Sequence, residues 1–293
     1  MLEHLSLFTD GRCARNIDGS SALFLNNFRH IKRVSWTGLV SVSDFQSLAL
    51  AVHVNADHLT GLYLDFETMQ YDLDWVGGLG FRYNLIADEL LNLSVHNTLP
   101  RCPLLEQLSL CTFPLTSMAS NLTSAINFDS LRLLKLRECQ NWEVFLTNLT
   151  RSGKTINLKS LEIQAGPGGV IDETIIGNFL AIFNGLEVLY LSLPGPLPQS
   201  LPIWEATRHH ISTLRQFVYH LTANDLPLAS DTHYFEGEMS INPEVFARLY
   251  DHPYENPLSQ LNIECLGLAC EPELLVSTRS QTFGARELPL ISR

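Results

Sequence analysis

One spacing governs what this chain can fold into. The pattern L-x-x-L-x-L, with other large apolar residues allowed, recurs along its length. It reads Leu2-Leu5-Leu7, Ile31-Val34-Trp36, Leu59-Leu62-Leu64, Leu105-Leu108-Leu110 and Leu131-Leu134-Leu136. It continues as Leu158-Leu161-Ile163, Leu186-Leu189-Leu191, Leu214-Phe217-Tyr219 and Leu258-Leu261-Ile263. The steps between first positions are 29, 28, 46, 26, 27, 28, 28 and 44 residues. Even steps of this size mark a repeat architecture. The two long steps place insertions at about 65–104 and 222–243. Residues 1–273 then form one repeat domain, and 274–293 a poorly ordered tail.

Helical signals lie between the apolar triplets. Ser43-Asp44 is a candidate cap for a helix over Phe45 to Val54, where Phe45, Leu48 and Val52 recur at helical spacing. Further helices are expected over Thr116 to Ile126, Trp142 to Leu149, Asp172 to Phe183 and Asn242 to Leu249. Each unit is therefore a strand, a turn, a helix and a turn. One such unit cannot bury its own leucines, whereas stacked neighbours can. The fold class is α/β, a solenoid with a parallel sheet on its concave face and helices on its convex face.

These residues resemble the leucine-rich repeat family across nearly the whole chain. The cysteine-containing subclass is the nearest, with Cys102-Pro103-Leu104-Leu105 matching its opening and Leu131-Leu134-Leu136-Cys139 its close. Other units hold Glu67, Phe113, Gly166, Pro194 and Leu266 at the ladder position, where the family carries asparagine or cysteine. The resemblance implies that the side-chain ladder is broken or replaced there. The segment Asn262 to Cys270 and the acidic loop at Asp225 are similar to the repeat portions of fungal F-box proteins. That similarity implies substrate recognition for an SCF-type ubiquitin ligase, through an F-box ahead of Met1. The alternative is a free-standing repeat scaffold or sensor.

Strand alternation sends the leucines to one face and the intervening residues to the other. On that second face the candidate partner-binding residues are Arg33, Tyr63, Asp65, Lys135, Arg137, Glu162, Gln164, Tyr190, His220 and Glu264. Gly61, Gln107 and Cys111 stand in the same rows, and Lys135 and Arg137 form a small basic spot beside Glu162.

The formal charge is −12, which argues against a nucleic-acid partner because phosphate binding needs a basic face. Acids cluster at Asp65 to Glu89 and Asp225 to Glu273, as solvated surface or as a face for a basic partner. Six cysteines without a C-x-x-C pair, and no leader-like segment after Met1, suit a reduced intracellular protein, cytoplasmic or nuclear. No apolar run is long enough to span a membrane.

No catalytic motif is present, so a non-enzymatic role without cofactor or metal is expected. Gly77-Gly78-Leu79-Gly80 lacks the last glycine of a dinucleotide fingerprint, and Gly166-Pro167-Gly168-Gly169 lacks the lysine of a phosphate loop. His209, His210, His220 and His233 fit no metal-ligand spacing and read as surface and turn histidines.

Overall fold

The computed structural model describes residues 2–9, 25–39, 42–66, 102–113, 115, 119–166, 171–194, 201–222 and 262–268. The chain divides into two compact units, Met1–Ile156 and Asn157–Arg293. Most of both insertions, the helix expected at Asn242 to Leu249, His233 and the tail lie outside the described residues.

Among the described residues the first unit carries five strands, β1 (His4–Phe8), β2 (Arg33–Thr37), β3 (Gly61–Asp65), β4 (Gln107–Cys111) and β5 (Leu133–Arg137). They pair in chain order, all parallel and with no register slip: His4 faces Arg33, Arg33 faces Gly61, Gly61 faces Gln107 and Gln107 faces Leu133. Parallel neighbours need a crossover. Helix α1 (Val42–Asn55) supplies it between β2 and β3 and α2 (Ala119–Ala125) between β4 and β5, while α3 (Trp142–Arg151) follows β5. Helix α1 begins at Val42, so Ser43 and Asp44 lie in its first turn and not ahead of it as the sequence suggested.

The second unit holds β6 (Ser160–Gln164), β7 (Val188–Pro194), β8 (Gln216–Thr222) and β9 (Cys265–Leu268), again parallel and in chain order. Helix α4 (Glu173–Ala181) starts where Asp172 caps it, accepting from the Thr174 N–H at 3.0 Å. Helix α5 (Leu201–Thr207) has no counterpart in the sequence reading. Pro202 disguises it, yet a proline in the first turn costs no helical hydrogen bond.

The repeat apolar positions are the core. Val34, Leu62, Leu108, Leu134, Leu161, Leu189 and Phe217 are all buried, and so are their partners two residues on. Removing one such side chain from water is worth about 2 kcal/mol. In β1, Leu5 and Leu7 are only half-buried.

A backbone rung ties each described pair of neighbouring repeats. The carbonyl just before one strand accepts two N–H groups, from the residue before the next strand and from that strand's first residue. In the first unit Glu3, Lys32, Thr60 and Glu106 are the acceptors; in the second they are Lys159, Glu187 and Arg215. All fourteen bonds measure between 2.7 and 3.1 Å.

This rung corrects the ninth repeat. Glu264 N and Cys265 N both reach Arg215 O, which sets Ile263-Leu266-Leu268 against Leu214-Phe217-Tyr219. The sequence reading used Leu258-Leu261-Ile263. The two triplets share Ile263 and satisfy the same pattern, so periodicity alone does not separate them. Leu266 is consequently a core-row residue of β9 and not a ladder residue.

The ladder position behaves as its residue types dictate. Cys139 donates its thiol hydrogen to Leu110 O at 3.3 Å, reaching back one repeat. Phe113 has no polar atom to do this. It packs edge-on against Phe66, with ring centroids 4.7 Å apart, and Phe66 stacks on Phe45. The Thr112 hydroxyl donates to Phe66 O in place of the missing link.

The chain leaves β2, β4 and β5 through a left-handed residue. Gly38, Thr112 and Glu138 stand at one repeat position and have φ of 81°, 54° and 51°. At Gly38 a Cβ would lie 1.8 Å from Thr9 O, so only glycine fits.

Candidate functional site

In the first unit, the outward rows of β2–β5 bring Arg33, Gly61, Tyr63, Asp65, Gln107, Cys111, Lys135 and Arg137 onto one face. Arg33 and Arg137 are exposed; Tyr63, Asp65 and Lys135 are half-buried. Gly61 is buried because its neighbours lie over it. A Cβ there would be 3.1 Å from Arg33 Cγ and 3.1 Å from Tyr63 Cε2. The Tyr63 hydroxyl donates to Gln107 Oε1 on the next strand, which holds the ring across Gly61. Phe8, at the end of β1, is 78% exposed on the same row system.

Asp65, Cys111 and Arg137 stand side by side on β3, β4 and β5. Burial, and then the Asp65 carboxylate, push the Cys111 thiol up to about 12. Burial pushes Cys139 up to about 12 as well. Both thiols stay protonated at neutral pH, so neither is an activated nucleophile.

In the second unit, Glu162, Gln164 and Tyr190 are half-buried in the outward rows of β6 and β7, and His220 is exposed on β8. Lys135 and Arg137 belong to the first unit and Glu162 to the second. Glu264 is a correction. It precedes β9, its side chain is 70% exposed, and it reaches Arg215 Nε at 3.9 Å. Cys265 and Gly267 hold the outward positions assigned by sequence to Gln260, Asn262 and Glu264.

His210 is a second correction, because it is fully buried and not a surface or turn histidine. Its Nδ1 accepts from Leu186 N at 3.3 Å and its Nε2–H donates to Leu180 O at 3.1 Å. Asn55 plays the same part in the first unit. It accepts from Ile31 N at 2.9 Å and donates to Phe28 O at 2.8 Å. Both residues lie four positions before the first apolar residue of their next repeat. These polar groups hold the fold and do not line the outward face. The alignment of Asn55 and His210 on the repeat was the available signal for them.

Among the described residues, no group of three or more His, Cys, Asp or Glu side chains is placed to hold a metal ion. No described helix is long and apolar enough to cross a membrane. The outward face presents aromatic and charged side chains, among them Tyr63, Arg33 and Arg137. A scan of protein-family models finds no match for the chain, and a search of curated proteins finds none.

Proposed function

We propose that the chain is a leucine-rich-repeat module that binds a protein partner on the sheet face opposite its leucine core. The observation that carries this reading is the outward row system itself. Equivalent strands present Arg33, Tyr63 and Arg137 in one unit and Tyr190 and His220 in the other, over a core of buried leucines. Tyrosine and arginine are the residue types enriched at binding hot spots. Repeat proteins with such sheets work through extended surfaces.

The finer reading is substrate recognition within an F-box-type ubiquitin ligase. Its support is the resemblance of Asn262 to Cys270 to F-box repeat segments.

Site-specific photo-crosslinking tests the module. A benzophenone side chain at Tyr63 or Tyr190 should capture a partner in cells, while one at Val144, exposed on α3, should not. Equal capture at all three positions, or none at any, overturns the reading. Immunoprecipitation from the native cells tests the finer form. Recovery of a cullin and its adaptor upholds it. Their absence beside a crosslinked partner leaves a free-standing scaffold.

A further inference from the structure

We infer that the outward face of the first unit recognises an acidic, extended polypeptide segment. This rests on the protein-binding reading above and adds the chemistry of the partner.

The first ground is the sign of the charge. The whole chain carries −12. On the outward positions of β1–β5 the lysine, arginine and carboxylate side chains are Arg33, Lys135 and Arg137 against Asp65 alone, a net +2. No other acidic side chain stands at those outward positions. A face whose sign opposes that of its own chain draws an acidic segment to itself and away from the remaining surface.

The second ground is the arrangement around Gly61. The Arg33 stem and the Tyr63 ring both lie over it, at 3.1 Å from where a Cβ would be. Tyr63 is held by its bond to Gln107. The arginine is thus partly ordered before any partner arrives, which lowers the entropy cost of binding. A guanidinium in that state suits the forked hydrogen bonds of a carboxylate.

The third ground is spacing. Lys135 and Arg137 stand three strands from Arg33, roughly 14 Å at ordinary strand separation. An extended peptide advances about 3.3 Å per residue. Two acidic residues about four to six positions apart therefore reach both basic groups. A nucleic acid is the less suitable polyanion. Its charge recurs at every phosphate, so one would meet Asp65, whereas a peptide can place an uncharged residue there.

The test uses the full chain and three fluorescent probes. These are an acidic peptide of Glu, Ser and Tyr, its Lys-for-Glu counterpart, and oligothymidylate. Anisotropy should report binding of the acidic peptide, weakening as salt rises from about 50 to about 300 mM. Arg33→Glu should weaken it at least about tenfold, and Gly61→Ala, which displaces Arg33 and Tyr63 without changing charge, by several-fold. If Arg33→Glu melts early, Arg33→Gln carries the same expectation. Tighter binding of oligothymidylate, equal binding of the basic peptide, or indifference to both Arg33 variants overturns the proposal. A random-peptide phage selection separates the two readings. Enriched peptides without acids that are lost on Tyr63→Ala overturn the acidic partner and leave the binding module standing. No enrichment at all overturns both.

Discussion

Tyr219 donates its hydroxyl hydrogen to Glu173 Oε1 across 2.6 Å, with both side chains withdrawn from water. Tyr219 occupies a core position that leucine fills in most other repeats. Glu173 is the first residue of α4, and its Oε2 has no hydrogen-bond partner among the described residues. A carboxyl in this setting prefers its neutral form. Burial pushes its pKa up, the Tyr219 bond works against this, and the Asp172 charge adds to the rise. A raised carboxyl stabilises the fold fully below its ordinary value near 4.5 and loses that contribution as pH rises through the folded value. Glu173→Gln should therefore melt higher than the parent at neutral pH and remove this part of the pH slope. Melting curves between about pH 5 and pH 8 check it, and an unchanged slope in the variant overturns it.

His210 titrates with the opposite sense. Burial lowers its pKa from 6.5 to about 4, so it is neutral at pH 7. An unfolded chain takes up a proton in this window and the folded chain does not. Stability is full above about 6.5 and drains away as pH falls towards about 4, by about 3 kcal/mol in all. His210→Ala leaves Leu186 N–H and Leu180 O without partners and should cost about 2–4 kcal/mol at pH 7. His210→Asn should recover part of that loss, since Asn55 makes the equivalent pair of bonds in the first unit. Denaturant titration of the three proteins decides it, with equal losses in both variants counting against the shared role.

Most of the strand layout was legible because L-x-x-L-x-L fixes both spacing and facing. Eight of the nine described strands begin where that pattern places them. The ninth failed because Ile263 serves two overlapping triplets. Helix α5 was hidden by Pro202. Asn55 and His210 were illegible for a different reason. A polar residue read alone looks exposed, and only the repeat alignment reveals that it meets the backbone of the preceding repeat. The outward rows were legible as positions, whereas the closeness of Arg33 and Tyr63 over Gly61 follows from side-chain placement that spacing does not encode.

The register of β9 has its own test. Gly267 lies opposite Val218, and a Cβ there would stand 3.1 Å from both Val218 methyl carbons. Gly267→Ala should lower the melting temperature by the equivalent of about 1 kcal/mol, and Val218→Ala should relieve it. Strict additivity of the two substitutions sinks this register.

Leu134 has no exposed surface, and its neighbour Lys135 points the other way. Leu134→Asp puts a carboxylate among leucines and should cost about 4 kcal/mol, enough to abolish cooperative unfolding in a marginal domain. Lys135→Asp should stay within about 1 kcal/mol of the parent. Comparable melting of the two variants overturns the assignment of inner and outer faces.

The backbone rung between repeats has a consequence for how such a chain tolerates growth. Ile31 and Leu59, the first apolar positions of adjacent repeats, stand 28 residues apart, while Leu59 and Leu105 stand 46 apart. Lys32 O and Thr60 O nonetheless receive the same two bonds from the strand that follows. The rung asks only that the connecting segment return within one strand spacing, and lengthening a loop adds little entropy cost. New polypeptide can thus be spliced between adjacent rungs without disturbing either, and the junction between β3 and β4 is the natural place in the first unit to graft a reporter or a second binding loop.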